Sequence, residues 1–195
     1  SDEQLFRYLY EHAGEGMYSK SDVDRLLAKE VANNDVKQLH QLMIENSQGK
    51  LKEFLQSFDP EEFGIIDTER YLEYLKENTD RHDYSSEEIS KALLNSLNKQ
   101  TELEAIVSEY TQNASDKALR ETLLDLDLKA NGLYTSRELV DYLYDHADTY
   151  GYNIQELDVL AAEIISNGDI NRLYQVMLEN SGGALKEFLE HLDPE

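Results

Sequence analysis

The chain has 195 residues, with 18 Lys plus Arg against 41 Asp plus Glu, a formal net charge of −23, no Cys, no Trp and only 2 Pro. The missing cysteines exclude a disulfide framework, thiolate zinc sites and a cysteine nucleophile. The charge sets the surface against phosphate backbones and anionic lipid, so direct nucleic-acid binding is not expected, whereas basic proteins and divalent cations are natural partners.

Hydrophobic residues make up 40% of the chain, enough for a packed interior. No run approaches the length of apolar sequence that spans a bilayer, and residues 1–20 lack the basic start and apolar core of a signal peptide, so membrane insertion is not expected and the sequence reads as soluble. From the N-terminus, Leu5, Phe6 and Leu9, then Val23, Leu26, Leu27 and Val31, fall at the three-or-four spacing of amphipathic helices. Ser19 to Asp22 is a weak capping box at the second of these starts.

The same text returns further along. Tyr8-Leu9-Tyr10-Glu11-His12-Ala13 reappears as Tyr142-Leu143-Tyr144-Asp145-His146-Ala147, and Leu51-Lys52-Glu53-Phe54-Leu55 as Leu185-Lys186-Glu187-Phe188-Leu189, both at a shift of 134. Ungapped comparison of residues 2–61 with 136–195 gives 27 identities in 60 pairs. The middle of the chain carries a more diverged copy: Tyr74-Leu75 answers Tyr8-Leu9 at a shift of 66, and Leu119-Arg120-Glu121 answers Leu51-Lys52-Glu53 at 68. Tyr8, Tyr74 and Tyr142 recur on the apolar side of the first helix of each copy and are read as core residues. Capping boxes are expected at Ser85-Ser86-Glu87-Glu88 and Asn153-Ile154-Gln155-Glu156. Breaks at Tyr150-Gly151, Asn167-Gly168-Asp169 and Asn180-Ser181-Gly182-Gly183 divide the last copy into four short helices. No strand-like alternation appears. The sequence therefore predicts an all-α fold, a tandem array of three similar four-helix repeats at 1–66, 67–134 and 135–195. Under the 134 shift both ends of the chain fall inside equivalent connections, and further repeats of the same chain are expected beyond them.

The connection between the second and third copies reads Asp127-Leu128-Lys129-Ala130-Asn131-Gly132-Leu133-Tyr134-Thr135-Ser136-Arg137-Glu138. Its order of oxygen-bearing residues, glycine and terminal glutamate resembles the EF-hand calcium loop. The resemblance implies Ca²⁺ held by the side chains of Asp127, Asn131, Thr135 and Glu138 and by the carbonyl of Leu133, with Gly132 making the sharp turn and Tyr134 at the apolar position. Lys129 departs from the motif, placing a cation where an oxygen ligand belongs, so any affinity is expected at the weak end of the family range, near ~10⁻⁴ M or worse. The loop 59–70 is a degenerate copy. Asp59, Glu61, Gly64, Ile66 and Asp67 match, but Phe63 offers no ligand and Arg70 replaces the glutamate, so calcium is not expected there. A third such loop begins at Asp193-Pro194-Glu195. A further periodic feature, Glu11 to Asp22, Glu77 to Glu88 and Asp145 to Glu156, is read as a capped turn between helices. Gly14-Glu15-Gly16 faintly resembles the annexin calcium loop, but the other copies lack it.

His12 and His146 are repeat equivalents, with Asn78 at that place in the middle copy, and their expected role is structural, near helix ends. No G-x-S-x-G, P-loop, H-E-x-x-H or dinucleotide fingerprint is present, so an enzyme is not expected. The expected function is that of a non-enzymatic acidic repeat module for protein interaction or spacing, responsive to calcium. The alternative is a DNA mimic that occupies the phosphate-binding groove of a nucleic-acid enzyme.

Overall fold

A computed structural model describes residues 2–15, 17–166 and 170–191. Gly16, the expected break at 167–169 and the loop beginning at Asp193 lie outside the described residues. Among those residues every regular element is helical: α1 (Asp2–Glu11), α2 (Lys20–Ala32), α3 (Val36–Asn46), α4 (Gly49–Leu55), α5 (Thr68–Glu77), α6 (Thr79–His82), α7 (Ser86–Asn113), α8 (Lys117–Asp125), α9 (Ser136–Tyr150), α10 (Ile154–Ser166), α11 (Ile170–Asn180) and α12 (Gly183–Glu190). None is long and apolar enough to cross a membrane. Shifting α2 and α3 by 134 reproduces the bounds of α10 and α11, residue for residue.

The middle of the chain is built differently. Residues that answer to α2 and α3 run on as the single 28-residue helix α7. In the first copy the break comes from Asn33 and Asn34 in the left-handed region (φ 46° and 63°), followed by Asp35, whose side chain caps α3 by accepting from Gln38 N. At a shift of 66 those places hold Lys99, Gln100 and Thr101. Long unbranched side chains favour helix, and Lys and Gln lack the short polar group that lets Asn enter the left-handed region, so nothing halts the helix.

The chain divides into two compact units, 1–102 and 103–195, with the boundary inside α7. In the first unit α2 packs on α1, α3 and α5, α3 on α4 and α5, and α6 on α4 and α5. Leu39, Leu42, Met43, Leu51 and Leu55 fill its interior from one side and Tyr71, Leu72, Leu75, Ile89 and Leu93 from the other, all fully buried. Phe54 lies 4.2 Å from the ring of His82, 5.4 Å from Tyr84 and 6.1 Å from Tyr74. In the second unit one cluster joins Leu103 and Val107 of α7 and Leu119 and Leu123 of α8 to Leu139 and Leu143 of α9 and Leu157, Leu160 and Ile164 of α10. Each interior is thus a seam: in the first unit α2, α3 and α4 meet α5, α6 and the start of α7, and in the second the end of α7 and α8 meet α9 and α10. Burial of several Leu-sized side chains, at about 1.5–3 kcal/mol each, is the main term holding each seam closed.

Tyr8 does not take the core place expected of it. It is 57% exposed, while its equivalents Tyr74 and Tyr142 are partly covered. They lie in seams and Tyr8 does not.

Candidate functional site

The turn 127–138 is set by its backbone. Gly132 adopts φ 69°, where a Cβ would be strained, and its amide donates to the carbonyl of Lys129 (3.1 Å), while Leu133 N donates to Leu128 O (2.8 Å). Asp127 Oδ1 accepts from Ala130 N (3.0 Å), and Asn131 Nδ2 donates to the carbonyl of Asp127 (2.7 Å). The side chains of Leu133 and Tyr134 are buried. The last two expected ligands are engaged with each other: Thr135 caps α9, accepting from Glu138 N (3.2 Å), and Glu138 Oε2 accepts from Tyr134 N, Thr135 N and Thr135 Oγ1 at 2.9, 2.9 and 3.0 Å. This is a complete capping box. The turn carries a left-handed glycine at its sixth place and oxygen-bearing residues on both sides of it. Glu138 offers only Oε1, however, while the box stays closed. Among the described residues no group of three or more His, Cys, Asp or Glu gathers as a metal would require. Beside the turn lies a cleft of about 540 Å³ walled by Val107, Thr111, Leu123, Leu124, Leu128 and Lys129.

The turn 59–70 has the same backbone at a shift of 68. Gly64 has φ 67°, its amide donates to Glu61 O (3.0 Å) and Ile65 N donates to Pro60 O (3.0 Å). Asp67 caps α5 by accepting from Arg70 N (2.8 Å). Glu61 pairs with Lys37 (2.9 Å), and Arg70 turns to Glu73 and Glu77 on its own helix. Ile66, at the place of Tyr134, is 85% exposed. The two turns therefore share a shape and differ in what their side chains do.

A polar cluster that periodicity did not single out lies in the first unit. Asp24 is 1% exposed. Its Oδ1 accepts from Tyr10 Oη (2.6 Å) and Ser90 Oγ (2.7 Å), its Oδ2 from Lys76 Nζ (2.7 Å), and the same ammonium donates to Ser21 Oγ (2.8 Å). Burial, then the neighbouring Asp24 carboxylate, pushes the Tyr10 hydroxyl far above its ordinary value, so it stays a donor. The cluster borders a cleft of about 630 Å³ that also touches Lys20 and Lys91. A signal existed in the sequence: Tyr10 with Asp24 and Tyr144 with Asp158 repeat the same pair at the same spacing. Tyr144 Oη does donate to Asp158 Oδ1, but Asp158 is exposed, and among the described residues no lysine or serine covers it as Lys76 and Ser90 cover Asp24.

Two of the capping boxes form as read. Ser19 with Asp22 is complete, and Glu88 Oε2 accepts from both Ser85 N and Ser85 Oγ. The box expected at Asn153 and Glu156 does not form. Glu156 reaches instead to the start of α8, accepting from Asp116 N (2.8 Å) and Ser115 Oγ, and Asp116 returns a carboxylate oxygen to Asn153 N (2.7 Å). The two helix starts cap each other, because the packing of the second unit brings two sets of orphan amides together. Bonds from Leu119 N and then Asn153 N hold the Asp116 carboxyl below its ordinary value. His12 and His146 donate Nδ1–H to the carbonyls of Tyr8 and Tyr142 (2.9 and 2.8 Å) and stack on those rings at 4.0 and 4.1 Å. His12 stands just past α1, whereas His146 lies inside α9, which runs on to Tyr150.

No protein family, curated protein or solved structure matches the chain.

Proposed function

We propose that the chain is a non-enzymatic acidic helical repeat module that works through protein interaction or spacing, with the turn 127–138 as a calcium-responsive connector. The observation that carries this reading is the seam. Apolar surface is used to join one copy to the next, and charged side chains are left outward over a chain of net charge −23. Such a surface attracts basic partners at long range and weakens as salt screens it. The shared backbone of the turns 59–70 and 127–138 supports a common connector, and Glu138, at the place of Arg70, supports a cation response in the second alone.

Immobilised chain exposed to cell extract is expected to retain a basic protein that NaCl releases. Retention of a nucleic-acid enzyme that DNA competes away would favour the DNA-mimic reading, and retention of nothing would remove the interaction role.

A further inference from the structure

In the first unit the turn 59–70 is tied to its neighbours by aromatic rings. Phe58 packs on His40, Phe54, Tyr74 and Phe63 at 5.0, 5.1, 5.2 and 5.8 Å between ring centroids, and Phe63 also reaches Tyr74 at 5.7 Å. At the shift of 68 that relates the two turns, His40, Phe54, Phe58 and Phe63 answer to Ser108, Thr122, Leu126 and Asn131, and only Tyr74 keeps a ring, as Tyr142. Four rings are thus replaced by smaller side chains. The cleft of about 540 Å³ beside the turn 127–138 lies against two of the replaced places, Ser108 and Leu126. Its wall is also apolar where the first unit is polar: Leu124, 67% exposed, stands at the place of Gln56. All of the wall comes from residues 104–129, the end of α7, α8 and the start of the turn. The space is ample for one ring, since an apolar cavity of about 150 Å³ already holds benzene.

We propose that this cleft receives an aromatic side chain from a basic segment of a partner protein. The proposal deepens the repeat-module reading and rests on it for the class of partner. The ring is argued from the first unit, where the chain itself supplies Phe58 and Phe63 to the same stretch of the repeat. The basic flanks are argued from charge: Glu104 and Asp127 stand in the wall with Lys129, on a chain of net charge −23. A cationic group beside the ring meets those carboxylates, whereas a second copy of this chain would bring acid against acid. The two contributions separate by salt, which screens the charge contact and leaves burial of the ring in place.

Titration of the 195-residue chain with the peptides acetyl-KKFKK-amide, acetyl-KKAKK-amide and acetyl-EEFEE-amide, followed by NMR, tests it. The KKFKK peptide should shift the signals of Val107, Leu124, Leu126 and Leu128 and bind about tenfold or more tightly than KKAKK, the gain from burying one ring. EEFEE should bind more weakly than either. Raising NaCl from about 0.05 M to about 0.3 M should loosen KKFKK several-fold and keep its advantage over KKAKK. Leu126→Phe, which returns a ring of the first unit, and Ser108→Phe, at an exposed site, should each fill the cleft, leave the melting temperature unchanged or raise it, and remove the preference for phenylalanine. Equal binding of KKFKK and KKAKK, equal binding of KKFKK and EEFEE, shifts confined to other residues, or filled variants that still prefer phenylalanine would each overturn the proposal. Self-association in sedimentation that Leu126→Phe abolishes would assign the cleft to a second copy and overturn it too. A chain that retains a basic protein from extract but shows no preference for the ring would end this inference and leave the module reading standing. A preference for the ring with nothing retained from extract would do the reverse.

Discussion

Asp24 and Asp158 stand 134 residues apart in sequence, and each accepts a hydrogen bond from a tyrosine fourteen positions earlier. Their surroundings decide what each contributes. Asp24 is sealed under Lys76 and Ser90, and removing its carboxylate strands a largely covered ammonium. Asp24→Ala should therefore cost about 3 kcal/mol of stability, whereas Asp158→Ala, at an exposed site, should cost less than about 1 kcal/mol. Urea titration of both variants checks the pair, and equal losses would mean the Lys76 contact contributes nothing. His40 offers a pH test. Its ring bonds Tyr71 Oη (2.8 Å) and packs on Phe58, and burial lowers its pKa against the opposing effects of the Asp59 carboxylate and a bond to the Phe58 backbone. The unfolded chain takes up that proton at a higher pH than the folded one, so His40 makes the fold less stable as pH falls through the ordinary imidazole value. His40→Gln removes this proton linkage. The stability advantage of the parent over the variant should then shrink between pH 7.5 and 5.5, and a constant advantage would show that His40 titrates normally. The Tyr10–Asp24 pair left a repeated spacing in the sequence, but Lys76 and Ser90 around Asp24 and Tyr71 beside His40 lie 31 to 66 positions away, and periodicity reports only nearby neighbours.

Among the elements, the turn 127–138 tests whether one carboxylate can serve both a helix and an ion. Coordination by Glu138 competes with its three capping donors, and a capping contact is worth about 1 kcal/mol. Glutamine also closes a capping box, so Glu138→Gln should leave the calcium-free chain within about 0.5 kcal/mol of the parent, while Glu138→Ala should lose about 1 kcal/mol. At tenfold excess over Kd, calcium should stabilise the parent by roughly 1.4 kcal/mol and Glu138→Gln not at all. Lys129→Asp should tighten binding by about tenfold or more, since ligand charge sets affinity in such loops. Calorimetry with no calcium heat in the parent but clear heat in Lys129→Asp would mean that the turn keeps its shape and has lost the ion. Element identity was largely legible in the sequence. The breaks at Gly151 and at 181–183, and the boxes at Ser19 and Ser85, rest on local chemistry that a reader can see. The cap exchanged between Asp116 and Glu156 was not legible, because it depends on which helix starts the packing places side by side.

At the scale of the whole molecule, charge and phase matter. With −23 over 195 residues, self-repulsion should make the melting temperature rise from low salt to about 0.15 M NaCl, where screening acts over roughly 8 Å. A flat response would mean that the acids are already paired or well dispersed. Phase is the less obvious property. The sequence repeats every 67 residues or so, yet the compact units 1–102 and 103–195 are cut inside the middle copy, because each interior includes packing that crosses from one copy to the next as well as packing within a copy. A fragment of residues 68–134 is a complete sequence copy but holds half of each seam. Its Tyr71, Leu72 and Leu75 would lose α2 and α3, and its Leu119 and Leu123 would lose α9 and α10. It should therefore show little cooperative unfolding by circular dichroism. Residues 1–102, which are not a whole number of copies, contain a closed seam and should melt cooperatively. If the 68–134 fragment instead melted as sharply as residues 1–102, each copy would carry its own core, and the seam would be a contact between finished domains rather than the interior that makes them fold.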